Sequence, residues 1–271
     1  MKIRNILFYI SLFTLLTSCE EIVEIDLKTT DPKIVIDASI TDGLECVVIL
    51  SKTQAFKNND YPELISGATI ILADNLGNSE ILKESSHQYG IYYSDMEGVE
   101  GRTYQLEVRL EENVYTASGT IPPKVEIEDV YIYGVRIGKE HWYSPCVVYN
   151  DPANVLNYYN ATLSINDNLM QTVYLQDDEF RDGLQVKQIL FYNKEDNDDE
   201  SLKYGDRIGV ELQTLDFGIY NFYKTLLSFA TGRIANPATN ISGGALGCFK
   251  AYNSTYMDII ITEEKIQIDN E

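Results

Sequence analysis

The first residue placed to do chemistry is Cys19, preceded by Leu16-Thr17-Ser18. Small residues just before a cysteine, at the end of a leader, fit a signal peptidase of the lipoprotein type. The thiol can then carry a diacylglyceryl group as a thioether. Two acidic tracts come next: Asp177-Asp178-Glu179 with Asp182, and Glu195-Asp196-Asn197-Asp198-Asp199-Glu200. Calcium takes about six to eight oxygen ligands, so clustered carboxylates suit it. In the second tract Asp196, Asp198, Asp199 and Glu200 are the candidate ligands of a structural calcium, although the central glycine and twelfth-position glutamate of an EF-hand are absent. The alternative is a solvated hairpin tip. Finally, His141-Trp142-Tyr143, with Tyr131 and Tyr133 on the preceding strand, is the best aromatic cluster for a ligand face. A Trp beside a Tyr can stack on a sugar ring or hold a cation. Its alternative is packing at a domain junction.

Catalytic signatures are missing from the sequence. His87 and His141 are its two histidines, and neither belongs to a His-x-x-x-His pair; there is no Cys-x-x-Cys and no nucleophile elbow. The glycine-rich stretch Gly243 to Gly247 lacks the following Lys-Ser/Thr of a phosphate loop, so its glycines are expected to allow a bulge or a close backbone approach before a strand. Cys46, Cys146 and Cys248 remain after Cys19, an odd number that permits at most one internal disulfide. Cys146 with Cys248 is the pair to test, and three buried free thiols are the alternative. A hydrolase using paired Asp or Glu is the catalytic class still open, because the spacing of carboxylates in space cannot be read here.

Charge narrows the partners. The leader carries Lys2 and Arg4 and no acid, so its removal takes the formal charge from −21 to −23. Such a chain is ill suited to nucleic acid, which is bound through Lys and Arg, or to anionic lipid surfaces. Attachment to a membrane would rest on the N-terminal lipid, at about 0.8 kcal/mol per buried methylene. Lys2 and Arg4, the apolar run Ile6 to Leu16 and the small residues before Cys19 make residues 1–18 a signal peptide, too short in its apolar part to stay as a spanning helix. Residues 19–32 read as an acidic tether. Its opening, Glu20-Glu21-Ile22-Val23-Glu24-Ile25-Asp26, resembles the acidic tracts of surface-exported lipoproteins in Bacteroidota.

The elements that must hold these residues read mainly as strands. Lys33 to Ile40, Cys46 to Leu50, Ala68 to Ala73, Tyr89 to Tyr93, Thr103 to Leu110 and Tyr115 to Ile121 are short apolar runs with turn chemistry between them, most plainly Asp74-Asn75-Leu76-Gly77-Asn78. Twenty tyrosines suit half-buried sheet faces. Pro122-Pro123 marks a boundary, since proline cannot donate to a ladder. A β-sandwich over 33–122 and a second β-rich domain over 123–271 are therefore expected. The second has strands at Val125 to Val135, Tyr143 to Tyr149, Asn157 to Ile165, Leu184 to Phe191, Asp206 to Leu215, Phe249 to Tyr252 and Met257 to Ile261. It also has one helix near 217–231, capped by Asp216, with Tyr220, Tyr223, Leu226, Leu227 and Ala230 on one stripe and Gly232 as its stop.

Two resemblances build on these residues. The glycine and strand order of the first unit resembles transthyretin-like, immunoglobulin-like and carboxypeptidase-regulatory-like sandwiches, modules that usually serve as scaffolds. The lipobox, Ile34-Val35-Ile36-Asp37-Ala38-Ser39-Ile40-Thr41-Asp42-Gly43, Ser66-Gly67-Ala68-Thr69-Ile70, the late helix, Asn236-Pro237 and Asn240-Ile241-Ser242-Gly243-Gly244-Ala245-Leu246-Gly247-Cys248-Phe249 occur in that order. This order resembles the Bacteroidota lipoprotein family catalogued as domain of unknown function 4249. Cys248 departs from the aromatic or aliphatic residue expected at its position. The resemblance implies no catalytic residues and no cofactor. It implies a non-catalytic outer-membrane lipoprotein, exposed at the cell surface, that assists a TonB-dependent receptor by ligand capture or receptor support. A surface adhesin or structural envelope protein is the alternative from another class, and a hydrolase the third.

Overall fold

In a computed structural model of the chain, residues 31–54, 62–137, 140–230 and 236–269 are described. The leader, Cys19 and the tether up to residue 30 lie outside them. In chain order the strands are β1 (Ile34–Thr41), β2 (Glu45–Lys52), β3 (Thr69–Asp74), β4 (Ser79–Ile81), β5 (Lys83–Glu84), β6 (Ile91–Glu97), β7 (Thr103–Leu110) and β8 (Asn113–Thr120). They continue as β9 (Ile127–Ile137), β10 (Glu140–Asn150), β11 (Tyr158–Ile165), β12 (Asn168–Leu169), β13 (Tyr174–Asp177), β14 (Gln185–Ile189) and β15 (Arg207–Leu215). A helix α1 (Phe217–Ala230) precedes β16 (Ile241–Ser242), β17 (Leu246–Ile260) and β18 (Ile266–Asp269). The protein is mainly β, as its strand patterning requires. Strand β7 shows the cause: Tyr104, Leu106 and Val108 alternate with polar neighbours and are buried.

Three sheets share two large apolar cores, with two smaller clusters beside them. The largest runs β12-β11-β15-β17-β1-β2-β6-β5, with β13 also on β11; the others run β16-β8-β7-β3-β4 and β14-β10-β9-β18. The first core holds residues from Ile36 to Ile121 and is completed by Ile241, Ala245, Phe249 and Ala251. The second draws on residues from Val125 to Ile261. Division at 122/123 therefore separates the cores only in part, because the segment around 241–251 returns to fill the first sandwich. Strand β17 is the reason. Its first half lies parallel to β1, Leu246 opposite Val35 through Tyr252 opposite Thr41. Its second half lies antiparallel to β15, Tyr252 opposite Leu215 through Ile260 opposite Arg207. The two late strands expected at 249–252 and 257–261 are one, since the polar run Asn253-Ser254-Thr255 stays in the ladder.

The proline segment between the cores is strapped to this strand. Asn253 is buried and donates through Nδ2 to Glu100 Oε2 at 3.0 Å and to the Pro122 carbonyl at 3.3 Å. Thr255 Oγ1 donates to the Val125 carbonyl at 2.9 Å. From Pro32 onward the chain is accordingly one compact unit.

Two further expectations are corrected. Segments 184–191 and 206–215 do not form a hairpin, because β14 joins the four-stranded sheet and β15 the nine-stranded one. Helix α1 is capped as expected, with Asp216 Oδ1 accepting from the Ile219 amide at 3.0 Å. Its buried residues are Ile219 and Tyr220, with Phe222 and Tyr223 packed alongside; Leu227 and Ala230 are exposed, and Gly232 lies outside the described residues.

The turn at Asp74 gives a pH-dependent prediction. Asp74 Oδ1 accepts from the Leu76 and Asn78 amides, both at 2.9 Å, while Oδ2 accepts from Asn78 Nδ2 at 2.7 Å and Arg102 Nη1 at 3.0 Å. The Asn78 side chain, with the turn amides and Arg102, holds this carboxyl below its ordinary range. A depressed carboxyl stabilises the fold above its ordinary pKa, and the contribution is lost as pH falls through the folded value. Below about pH 4, wild-type melting temperature should therefore fall more steeply than that of Asp74→Asn. Equal slopes in a thermal-melting series would contradict this.

Candidate functional site

The aromatic cluster sits on the β9–β10 hairpin, where a two-residue alternation decides which side chains meet. Trp142 lies opposite Val135, Tyr143 opposite Gly134, Ser144 opposite Tyr133 and Cys146 opposite Tyr131. Trp142, Tyr133 and Tyr131 therefore share one face, where Tyr131 and Tyr133 pack with Cys146, Val148 and Ile189. Tyr143 falls on the other face and packs against the second core. Gly134 makes room for it, since a Cβ there would lie 3.0 Å from Tyr143 Cε1. His141 lies on β10 opposite Arg136, and its side chain is outside the described residues. Of the four expected residues whose side chains are described, three share one face and Tyr143 takes the other.

Trp142 and Tyr143 are reunited by a groove at the strand edge. Strand β14 pairs with β10 only from Cys146 to Asn150. Beyond that, the Trp142–Ser144 stretch faces segment 191–202 across a groove of about 840 Å³. Phe191, Tyr192, Lys194 and Leu202 line the opposite wall, with Glu195 and Asp199 adding negative charge. Trp142 is 49% exposed and Phe191 63%. A smaller cavity of about 130 Å³ adjoins it through Tyr143 and Leu202. Another concavity, of about 590 Å³ over β3, β7 and β8, has no aromatic ring in its lining.

The groove can stack a flat or sugar-like ring on Trp142 and Phe191 while polar groups of its far wall accept or donate. Lys194 Nζ already lies 5.2 Å from the centre of the Trp142 ring. The cation on that face is supplied by the chain itself. Sequence patterning missed the far wall because it comes from a segment some fifty positions away, joined to β10 only by the β14 register. The exposed Phe191, just beyond the end of a strand and three positions before a lysine, is the trace it leaves.

The second acidic tract does not gather into a calcium site. Residues Lys194–Asn197 form a single 3-10 turn, with Asn193 accepting from the Glu195 amide at 3.2 Å. Glu200 pairs with Lys203 and Asp199 faces the groove. Among the described residues, the carboxylates that converge are Asp151, Asp178 and Asp182, two of them from the first tract.

Cys46, Cys146 and Cys248 are buried and free, which is the second of the two readings the sequence left open, and Cys146 and Cys248 are not bridged. Cys146 packs with Tyr131 and Val148, whereas Cys248 packs with Leu215 and Ile219 beneath α1. Burial pushes the thiols of Cys46 and Cys248 up to about 12, with nearby carboxylates adding to it. These thiols are inert small apolar groups, not nucleophiles. His87 is exposed in a turn, where its amide bonds the Ser85 hydroxyl at 3.3 Å.

The glycine stretch is structural. Gly243, Gly244 and Gly247 all have positive φ. A Cβ on Gly243 would lie 2.5 Å from the Val114 carbonyl oxygen, and one on Gly247 would lie 2.1 Å from that of Ile36. Asn240 completes the local ladder, accepting from the Phe249 amide at 2.9 Å and donating to its carbonyl at 2.8 Å.

Fold and groove together define a mainly β protein of sandwich-like sheets with an aromatic-lined surface groove. The chain belongs to the family described as Domain of unknown function (DUF4249), which it matches over residues 20–257. No curated protein matches it. Among solved structures, a two fibronectin type-III domain segment from chicken tenascin aligns at 9% identity over 85% of this chain and 100% of its own, with a TM-score of 0.25. A DUF4785 family protein from Legionella pneumophila aligns at 11% identity over 68% of this chain and 52% of its own, with a TM-score of 0.27. Neither likeness is close enough to carry an argument.

Proposed function

We propose that this protein is a non-catalytic outer-membrane lipoprotein of Bacteroidota, anchored through lipid on Cys19 and exposed at the cell surface. It serves as an accessory to a TonB-dependent nutrient receptor, through ligand capture or receptor support. The observation that carries this reading is the groove between Trp142 and Phe191, whose large rings stand exposed above two packed cores. Exposed aromatic rings around a groove mark a surface that binds. The placement is supported by the Leu16-Thr17-Ser18-Cys19 sequence and by the acidic tether that follows. No helix among the described residues is long and apolar enough to cross a membrane. The inert thiols and the exposed, turn-bound His87 favour binding over turnover.

The reading is tested by what accompanies the lipidated protein out of native membranes after gentle solubilisation. One TonB-dependent receptor in stoichiometric amount is the expected companion in mass spectrometry. Recovery of no receptor, from cells in which the protein is abundant and surface-accessible, would overturn the uptake role.

A further inference from the structure

Two loops, 151–157 and 178–184, meet at three carboxylates. Asp151 follows β10, Asp178 follows β13, and Asp182 lies in the turn that leads to β14. One carboxylate oxygen from each lies within 4.8 Å of the others. That span is twice a calcium–oxygen bond of about 2.4 Å, so a single ion can touch all three. Asp151 and Asp178 are buried, while Asp182 is exposed and leaves one side open.

Hydrogen bonding fixes these groups without satisfying them. Asp151 Oδ1 accepts from the Tyr159 hydroxyl at 2.5 Å and from Asn157 Nδ2 at 3.4 Å, and its Oδ2 accepts from the Gly183 amide at 3.0 Å. Asp178 Oδ2 accepts from the Asn157 amide at 2.9 Å, and Asp182 Oδ1 from the Asn154 amide at 2.6 Å. The remaining oxygen of Asp178, Oδ1, is buried with no partner, although the residue is only 5% exposed. A second orphan stands nearby. The Tyr149 hydroxyl is also buried and unpartnered, its ring lies 4.9 Å from that of Tyr159, and Asp151 is close enough to act on it electrostatically.

The missing element is positive charge. Among the described residues, no ion pair reaches Asp151, Asp178 or Asp182. Arg181 lies in the same turn and is felt at Tyr149, yet pairs with none of the three. Buried carboxylates so close together repel one another and are costly without a counter-charge. The donors are all oxygen, the hard set that suits calcium better than the softer transition metals.

We propose that Asp151, Asp178 and Asp182 bind a divalent cation of the calcium class, which clamps the 151–157 loop to the 178–184 loop. Water completes its shell on the open side. The loops already meet closely, since a Cβ on Gly183 would lie 2.8 Å from that of Ala153.

The test uses the purified full chain, stripped with a chelator and titrated with calcium chloride, by calorimetry and by thermal melting. Binding is expected with a Kd on the order of 10⁻⁴ to 10⁻³ M, and the melting temperature should rise with calcium. Asp178→Asn should weaken binding at least tenfold, yet melt no lower than wild type in chelator, because it relieves repulsion. Asp182→Asn, at the exposed ligand, should weaken binding too without touching the core. Asp199→Asn/Glu200→Gln should leave binding unchanged. Absence of calcium binding by wild type would overturn the site. So would full binding by both Asp178→Asn and Asp182→Asn, or loss of binding on changing Asp199 and Glu200.

Discussion

Gly247→Ala is expected to destabilise the protein by about 3 kcal/mol or more, against about 1 kcal/mol for Gly244→Ala. Both glycines have positive φ, at 95° and 91°, so both substitutions carry the strain of an unfavourable backbone. They differ in what a new Cβ meets. At Gly244 it enters open space, whereas at Gly247 it would lie 2.1 Å from the Ile36 carbonyl oxygen and 2.8 Å from the carbonyl carbon. Ile36 is the β1 partner of Gly247 in the parallel ladder, so relief requires moving β17 off β1. For a unit of this size, about 3 kcal/mol corresponds to a drop of roughly 6–12 °C in melting temperature. Thermal melting of the two variants side by side checks this, and equal losses would contradict the close approach.

A fragment ending at the proline boundary, residues 33–122, is expected not to fold. It would keep β1 to β8 but lose Ile241, Ala245, Phe249 and Ala251 from its core. Phe249 is fully buried, and burying a side chain of that size is worth about 1.5–3 kcal/mol. A small domain has only about 5–15 kcal/mol of total stability, so losing this group of contacts together with the β1–β17 ladder removes much of it. The cut would also bare the edge of β1 and the edge of β8 that β16 covers, an invitation to aggregation. The fragment should show no cooperative melting transition and little amide dispersion by NMR. A sharp transition with native-like dispersion would restore the two-domain division at 122.

These two expectations bear on what could be read from the chain. Strands β7 and β15 were legible because period-two alternation is local information, Tyr104, Leu106 and Val108 in one and Ile208, Val210 and Leu212 in the other. So was helix α1, announced by Asp216. The long-range partner of each strand was not. Nothing in Leu246 to Tyr252 says that it lies parallel to a strand more than two hundred positions earlier, and the polar Asn253-Ser254-Thr255 looks like a break until its bonds to the proline segment are seen. The glycine stretch carried its own meaning, since glycines before a strand imply close backbone approach. In the candidate groove Trp142 stood out by type alone. Phe191 and Lys194 did not, because the fold brings them to Trp142 through the edge that β14 leaves open. The acidic tracts show the same limit. Density of charge drew attention to residues 195–200, whereas convergence belongs to Asp151, Asp178 and Asp182, which unite two loops.

That the Trp142 groove is the working surface of a receptor accessory is tested most directly by quantitative mass spectrometry of native-membrane pull-downs. Wild type is compared with Trp142→Ala/Phe191→Ala. Both side chains are exposed, so the double variant should melt close to wild type. Wild type should bring down a TonB-dependent receptor, and the double variant at least tenfold less of it. An undiminished yield from the folded double variant would contradict the groove's role, and absence of the receptor from both would contradict the accessory function itself.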